Sequence, residues 1–180
     1  MSVMESLRVR EQSRNEAPVS GDADGHNFRL AMREFASGVS IIACGEGRTR
    51  NGCTATALTS LSLSPPSIIV CLSRQTATLT SIKRSGAFSA NILAGHHQPL
   101  AERFAGRGGL QGADRFGAGD WLQLVTGSPV LADALASIDC RLDEIIERNT
   151  HSILIGAVKA VRVSEAAPAL LHWRSGFETL

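Results

Sequence analysis

The sequence predicts a mainly β fold, an antiparallel barrel with a few short helices inserted among its strands. Strand-like runs follow one another through turns instead of alternating with helices, which disfavours a doubly wound parallel sheet. No G-x-G-x-x-G follows a strand-like run, and neither a Walker-type lysine motif nor an internal repeat is visible. With 180 residues, 43% of them hydrophobic, the chain can bury the core of one domain.

The first elements are one helix and three strands. A short helix is predicted over residues 27–35, where apolar residues recur at helical spacing before Gly38. No crossover helix separates the three strands that follow. They are predicted over residues 39–44, 52–63 and 67–72, separated by Gly45-Glu46-Gly47 and by Pro65-Pro66.

The middle of the chain mixes helices with one strand. A helix over residues 76–85 is expected to be capped by Thr76 and ended by Gly86. A strand over residues 87–93 and a short helix over residues 98–105 come next.

The remaining elements are a glycine-rich loop and a long hairpin. Residues 106–120 contain six glycines and little periodicity, so they form either a mobile lid over a site or a plain surface connection. Two long strands over residues 134–147 and 151–164 are joined by residues 148–150, as is typical of barrels. A closing edge strand is predicted over residues 170–173.

Charge and cysteine content narrow the class of protein. The chain has 18 Lys and Arg residues against 17 acidic residues. Its net charge is therefore too small to produce a long-range electrostatic field that would recruit nucleic acid or an anionic membrane. No apolar run approaches the roughly 20 residues of a membrane span. Four cysteines without C-x-x-C spacing indicate reduced, mostly buried thiols in a cytoplasmic protein. Residues 1–25 lack the apolar run of a secretory signal and are interpreted as a flexible arm, ordered by a partner subunit, ahead of a domain over residues 26–180.

One segment has the composition of a cofactor-binding strand. Hydroxyl side chains occupy six positions in eleven residues, ahead of a double proline and an apolar strand. Hydroxyls and free backbone N–H groups are what a phosphate or the polar edge of a heterocycle requires. The hydroxyls belong to Thr54, Thr56, Thr59, Ser60, Ser62 and Ser64.

Nine short pieces of the chain resemble, in order and spacing, the short-chain flavin reductases, the NAD(P)H:flavin oxidoreductase components of two-component monooxygenases. Each piece is weak alone, but nine in order over residues 28–177 form a specific pattern. They are residues 28–39 (FRLAMREFASGV), 54–66 (TATALTSLSLSPP), 70–73 (VCLS), 86–93 (GAFSANIL), 100–104 (LAERF), 115–116 (RF), 127–129 (GSP), 150–158 (THSILIGAV) and 170–173 (LLHW).

This resemblance implies a Greek-key split β-barrel that binds FMN or FAD near the subunit interface of a homodimer. It implies hydride transfer from NADH or NADPH to the flavin, and a flavin-dependent monooxygenase as the partner that receives reduced flavin. Such a transfer needs neither a nucleophile nor a strong acid, which agrees with the absence of an acid–base dyad in the sequence.

The resemblance also implies which residues contact the flavin. The strand along the flavin would contribute Gly52, Thr54, Ala55, Thr56, Thr59, Ser60 and Leu61. The phosphate end would be formed by Leu72, Ser73, Arg74 and Thr78, close to the positive end of a helix. Beside it would lie Asn91, Arg103 and Phe104. The small residues Gly52, Ala55 and Ala57 would let a flat ring approach the backbone.

Four histidines bear on the site or on metal binding. His151 matches the histidine that contacts the nicotinamide in this family, although Asn149-Thr150 replaces the frequent Gly-Asp pair before it; the alternative is a structural histidine at a strand end. His172 and Phe177 stand where many relatives carry tyrosine. His96 and His97 have no third ligand in register, so we expect a solvated pair and no metal site.

Two alternatives to a flavin reductase stay open from the sequence. Thr150-His151 and the segment Gly95-His96-His97-Gln98 resemble a branch of similar proteins that reduces the cobalt of a corrin. A flavin-binding carrier without turnover is the alternative outside the enzyme class. Cys53 is the one cysteine that neighbours the predicted flavin strand.

Overall fold

The computed structural model of the protein describes residues 24–180. They fall into a short N-terminal unit that ends at Met32 and a compact unit from Arg33 to Leu180. The first helix, α1 (Gly25–Arg33), begins after Asp24, whose carboxylate accepts a hydrogen bond from the Asn27 N–H at 2.7 Å. The interpretation of residues 1–25 as a flexible arm falls almost wholly outside the described residues.

Strands dominate the compact unit. Short 3₁₀ turns occupy Gly47–Thr49, Gly95–His97 and Gly112–Gly117. The strands are β1 (Ser37–Gly38), β2 (Ser40–Cys44), β3 (Asn51–Ala55), β4 (Leu58–Leu63), β5 (Pro66–Ser73), β6 (Ala87–Ile92), β7 (Trp121–Gln123), β8 (Pro129–Leu131), β9 (Ala136–Arg148), β10 (His151–Val163), β11 (Leu170–Trp173) and β12 (Gly176–Thr179).

Two further helices are inserted among these strands. Helix α2 (Ala77–Ser85) begins after Thr76, whose hydroxyl accepts from the Leu79 N–H at 3.2 Å, and ends at Gly86 with φ +66°. Helix α3 (Gln98–Phe104) follows β6. Both occur where the sequence predicted them, because their start and stop signals are local. No helix within residues 24–180 is long and apolar enough to cross a membrane.

Seven antiparallel strands form the main sheet, in the order β3-β2-β6-β9-β10-β5-β4. Its two edge strands, β3 and β4, are consecutive in the chain and separated only by Thr56 and Ala57. A two-residue link cannot span an open seven-stranded sheet, so the sheet curls until its edges meet at this link. Beyond this link the two edge strands do not pair with each other, since β3 pairs only with β2 and β4 only with β5. The barrel is therefore split between them. The predicted fold class, mainly β and antiparallel with a few short helices, is confirmed.

The predicted strand over residues 52–63 is two strands, which corrects the sequence interpretation. Alternating hydroxyl and small residues continue through Thr56 and Ala57, so the local pattern carries no break. The break comes from long-range pairing, since Ile41 lies opposite Thr54 whereas Val70 lies opposite Leu58. The predicted loop over residues 106–120 contains the 3₁₀ turn Gly112–Gly117, and the short strands β1, β7, β8 and β12 were not predicted.

The core has two parts because β2 is buried on both faces. Ile42 packs inside the barrel with Phe88, Val70 and Leu154, while its neighbour Ile41 points to the opposite face. On that outer face lies a second cluster, to which α3, the 3₁₀ turn Gly112–Gly117, β8 and β11 contribute side chains. This outer layer holds α3 against β3 and so forms one side of the site described below.

Candidate functional site

Two adjoining cavities lie along β3, where the barrel is split. The first has a volume of about 440 Å³ and the second about 670 Å³. They share four lining residues, Cys53, Thr54, Thr76 and Ala105. A single elongated ligand could therefore occupy both.

The first cavity has a wall of small side chains. It runs from Thr54 to Ala57, across the link between the two edge strands, and faces Leu72 and Ser73 at the end of β5. Because β3 is an edge strand, its backbone groups on the side away from β2 have no strand partner and can serve a ligand. A flat ring with a polar edge fits methyl groups and free backbone groups of this kind.

The hydroxyl of Thr54 is already used within the protein. It donates to the Ala101 carbonyl of α3 at 2.6 Å and so fixes the helix to β3. Thr56, at the link itself, is exposed and lines the first cavity. Thr56 is thus the hydroxyl of the predicted flavin strand that remains available to a ligand here.

His151 opens β10 and lies at the mouth of the first cavity. Antiparallel pairing sets it opposite Ser73 of β5, and the exposed imidazole reaches the cavity from there. Its Nδ1 is 2.9 Å from the hydroxyl of Thr150, which can hold the ring in one orientation. Among residues 24–180 no carboxylate forms a hydrogen bond with this imidazole.

A third side of this cavity comes from the hairpin of β11 and β12. His172 and Phe177 are paired across these strands, with ring centroids 5.8 Å apart and nearly perpendicular planes. Both line the first cavity together with His151. They were noted from the sequence as replacements for tyrosine but not predicted as site residues, because nothing local places their hairpin over the barrel.

The second cavity is more polar. Asn51 organises one side of it, accepting from the Thr78 hydroxyl at 3.2 Å and donating to the Ser81 hydroxyl at 3.3 Å. Opposite lies Arg115, which donates from Nη1 to the carbonyl oxygens of Gly52 at 2.8 Å and Phe104 at 3.2 Å. Both Asn51 and Arg115 were outside the predicted set.

Eight predicted site residues are brought together by this arrangement. The first cavity is lined by Thr54, Ala55, Thr56, Leu72, Ser73 and His151, and the second by Thr54, Thr78 and Phe104. They come from β3, the link after it, β5 and β10 and from the helices α2 and α3, which are distant in the chain and converge here.

The structure places Gly52 under Phe104 and away from the cavities. A Cβ at Gly52 would lie 2.8 Å from Phe104 Cε1 and 2.9 Å from the Ile42 carbonyl oxygen. The absence of a side chain serves close packing of the aromatic ring on β3, which replaces the predicted close approach of a ligand.

Three predicted residues of β4 are likewise not at the cavities. The break at Thr56 and Ala57 carries β4 away to pair with β5, and the three are exposed there. They are Thr59, Ser60 and Leu61.

Arg74 points away from the predicted phosphate end. Its guanidinium binds Glu147 through Nη2 at 3.0 Å and the Asn149 carbonyl through Nη1 at 3.2 Å. Arg74 lies in the turn just after β5, where Glu147 of β9 and the turn between β9 and β10 hold its side chain. Arg103 lies beside His96 and His97 at a separate small cavity.

Asn91 is fully buried and lines neither cavity. Its side chain accepts from the Leu131 N–H at 2.8 Å and from the Ser137 hydroxyl at 2.9 Å, and donates to the Ile41 carbonyl at 3.1 Å. These contacts join β2, β6, β8 and β9, so its amide is part of the core.

The cysteines are free thiols, as the sequence predicted. Burial raises the pKa of Cys44 and of Cys140 to about 12. Burial also raises the pKa of Cys53, against smaller opposite effects of the Thr78 hydroxyl and Arg115. Cys53 and Cys71 both line the first cavity, and Cys53 stands there as a neutral thiol.

His96 and His97 are not the solvated pair that the sequence predicted. His97 is buried, and Asp133 lies beside both rings, 3.1 Å from His97 Nε2 and 3.4 Å from His96 Nε2. Asp133 is thus the third group that sequence spacing did not provide. His97 Nδ1 accepts from the Ala94 N–H at 3.1 Å, so in the neutral ring Nε2 carries the proton and offers no lone pair to a metal.

Comparison with known proteins identifies relatives of this chain. One relative, the FMN reductase (NADH) RutF of Agrobacterium fabrum, is 36% identical over 154 residues, covering 86% of this chain and 87% of its own. The 4-hydroxyphenylacetate 3-monooxygenase reductase component of Pseudomonas aeruginosa is 34% identical over 153 residues, covering 85% and 90% of the two chains.

Solved structures show the same fold. BorF, the flavin reductase component of a bacterial two-component tryptophan halogenase, superposes with a TM-score of 0.80 at 30% identity, covering 87% of this chain and 98% of its own. The NADH:FAD oxidoreductase SgcE6 of Streptomyces globisporus, in complex with NAD and FAD fragments, superposes with a TM-score of 0.80 at 26% identity, covering 90% and 96%.

The resemblance predicted from nine short pieces is therefore confirmed over most of the chain. Residues 32–180 match the family model described as Flavin reductase like domain. The chain belongs to this flavin reductase family.

Proposed function

We propose that this protein is an NADH- or NADPH-dependent flavin reductase that binds FMN or FAD along β3 and delivers reduced flavin to a partner monooxygenase. The observation that carries this proposal is the first cavity. It combines an unpaired strand edge, a wall of small side chains and a histidine held by Thr150 at its mouth. The named relatives, an NADH-dependent FMN reductase and a monooxygenase reductase component, support it.

Hydride transfer to a flavin requires neither a nucleophile nor a strong acid from the side chains. A flavin held along β3 would supply an acceptor for the hydride of a reduced nicotinamide. The protein's tasks are to hold two flat rings in register and to keep their reacting faces out of bulk water. Ala55, Ala57 and Leu72 provide the apolar surface for this.

His151 orients the nicotinamide in this proposal. Its Nδ1 faces the Thr150 hydroxyl, which leaves Nε2 for a ligand at the cavity mouth. Its Nε2 can form one hydrogen bond with a carboxamide group such as that of nicotinamide.

Two copies of the chain form the working unit in this proposal. Large apolar side chains are exposed on β4 and β10, the two strands that flank β5: Leu63 is 90% exposed and Val163 is 74% exposed. Burial against a second copy would remove them from water. Sedimentation of the purified protein should give the mass of a dimer, and a monomer at every concentration would contradict this part.

Four free thiols support a cytoplasmic location.

A titration with both flavins and both nicotinamides tests the enzyme. FMN or FAD should change its absorbance on binding, and anaerobic mixing with NADH or NADPH should bleach the bound flavin at catalytic rates. Bleaching at catalytic rates separates a reductase from a carrier, which would bind flavin without being reduced. Failure to bind either flavin would overturn the proposed function.

A further inference from the structure

The turn between β9 and β10 is bound by Arg74, which follows β5. Arg148 pairs with His151, so the turn itself consists of Asn149 and Thr150 alone. The backbone N–H of Arg74 donates to the Thr150 carbonyl at 2.9 Å, and its Nη1 donates to the Asn149 carbonyl at 3.2 Å. Both carbonyl groups of this two-residue turn are therefore bound by one residue from outside the hairpin.

The Arg74 guanidinium is itself fixed by an ion pair. Its Nη2 lies 3.0 Å from one carboxylate oxygen of Glu147, and Lys83 Nζ lies 2.7 Å from the other. The hydrogen bond from Lys83 and the charge of Arg74 hold the pKa of Glu147 below its usual range, so the carboxylate is charged at neutral pH. Contacts at both Nη1 and Nη2 set the plane of the guanidinium, since its donors form a rigid fork.

His151 depends on this turn for its orientation. It is the first residue of β10 and lies opposite Ser73, the residue just before Arg74. Within residues 24–180 the ring has one hydrogen-bond partner, the Thr150 hydroxyl, 2.9 Å from Nδ1. A shift of the turn would therefore move both the imidazole and the group that orients it.

We propose that Arg74 is a positioning residue, which fixes the turn between β9 and β10 and so holds the His151 imidazole at the mouth of the first cavity for the nicotinamide. This inference rests on the proposed function and adds the residue that positions His151. Arg74 lines neither cavity, so its effect on the nicotinamide passes through His151. Displacement of an orienting group by about 1 Å is enough to impair a reaction between two bound rings.

Variants of Arg74 test the effect on the nicotinamide. Arg74→Gln should raise the KM for NADH roughly 2- to 5-fold, the effect of one partly exposed ion pair, and leave the Kd of FMN unchanged. Arg74→Lys should restore part of the wild-type KM, because lysine keeps the charge beside Glu147 but lacks the fork. Lys83→Gln is the matched control, since it removes the other partner of Glu147 and no contact to the turn. A wild-type KM in Arg74→Gln would overturn the inference.

Combination with His151→Ala separates positioning from direct contact. If Arg74 acts through His151, the double variant Arg74→Gln/His151→Ala should have the same KM for NADH as His151→Ala alone. A further rise in KM, by the factor seen for Arg74→Gln in the wild-type background, would show that Arg74 acts independently of His151 and would refute the positioning role.

The remaining outcomes are distinct. A raised Kd for FMN in both Arg74→Gln and Arg74→Lys would assign Arg74 to the flavin, and a lower Tm with equal losses in every kinetic constant would assign it to the fold; either result refutes the inference alone. Wild-type protein whose bound flavin NADH does not reduce would refute the proposed function, and with it the role of His151 on which the positioning role depends.

Discussion

Replacement of Asn91 by alanine should destabilise the fold without weakening flavin binding by the molecules that stay folded. Asn91 is fully buried, and its Oδ1 accepts from the Leu131 N–H at 2.8 Å and the Ser137 hydroxyl at 2.9 Å. Its Nδ2 donates to the Ile41 carbonyl and the Ser89 hydroxyl, both at 3.1 Å. One amide thus serves four strands.

The size of the destabilisation depends on which hydrogen-bond partners of Asn91 would be left without another partner. Truncation leaves the buried Leu131 N–H without an acceptor, at a cost of about 1–3 kcal/mol. The Ser137 hydroxyl can turn toward the Leu131 carbonyl, 3.5 Å away, so it adds little. The lost bond to Ile41 and the small void add about 1 kcal/mol, giving roughly 2–4 kcal/mol in all. For a unit of this size that is a fall in Tm of about 4–16 °C.

Urea unfolding followed by circular dichroism measures the stability, and fluorescence titration with FMN measures the affinity. The expected result is a lower midpoint with an unchanged Kd below the transition. An unchanged unfolding midpoint together with a raised Kd for FMN would refute the core role and indicate that Asn91 contacts the flavin.

Further predictions concern packing, catalysis and pH. Gly52→Ala should lower the free energy of unfolding by about 1–3 kcal/mol, because the added methyl meets Phe104 at 2.8 Å, whereas Gly38→Ala, with nothing within 4 Å, should be neutral in the same urea titration. His151→Ala should raise the KM for NADH several-fold in steady-state assays and leave the Kd of FMN unchanged; equal KM values would contradict its orienting role. Burial holds the pKa of His97 below the 6.5 of an unfolded chain, so the unfolded state binds the proton more tightly and stability should fall as the pH drops through about 6.5. His97→Gln should flatten that decline, and identical pH curves would rule out His97 as its source.

Local signals were sufficient for several elements. Helix α2 could be predicted because Thr76 and Gly86 mark its ends by side-chain capping and a left-handed backbone, both properties of single residues. The long hairpin of β9 and β10 could be predicted because both strands are long and the turn between them is short. These features do not depend on the rest of the chain.

Which strands pair with each other, in contrast, cannot be predicted from the local sequence. The break between β3 and β4 depends on β3 meeting β2 and β4 meeting β5, and a run of small and hydroxyl residues suits either arrangement. For the same reason Thr59, Ser60 and Leu61 were expected beside the flavin although β4 carries them away. The family resemblance placed Arg74 at the phosphate, yet its guanidinium binds Glu147, which another strand contributes.

The sequence by itself determined the family, the antiparallel class and the part of the site along Thr54, Ala55 and Thr56, because order, spacing and side-chain type are sufficient for these. Only the tertiary structure decided which groups face the cavities. His151 reaches one strand edge from β10, while the β11–β12 hairpin and the 3₁₀ turn Gly112–Gly117 bring His172 and Arg115 to it. Contacts with β2, β8 and β9 bury Asn91 in the core. The physical reason is that a side chain's neighbours are set by contacts between strands that are distant in the chain.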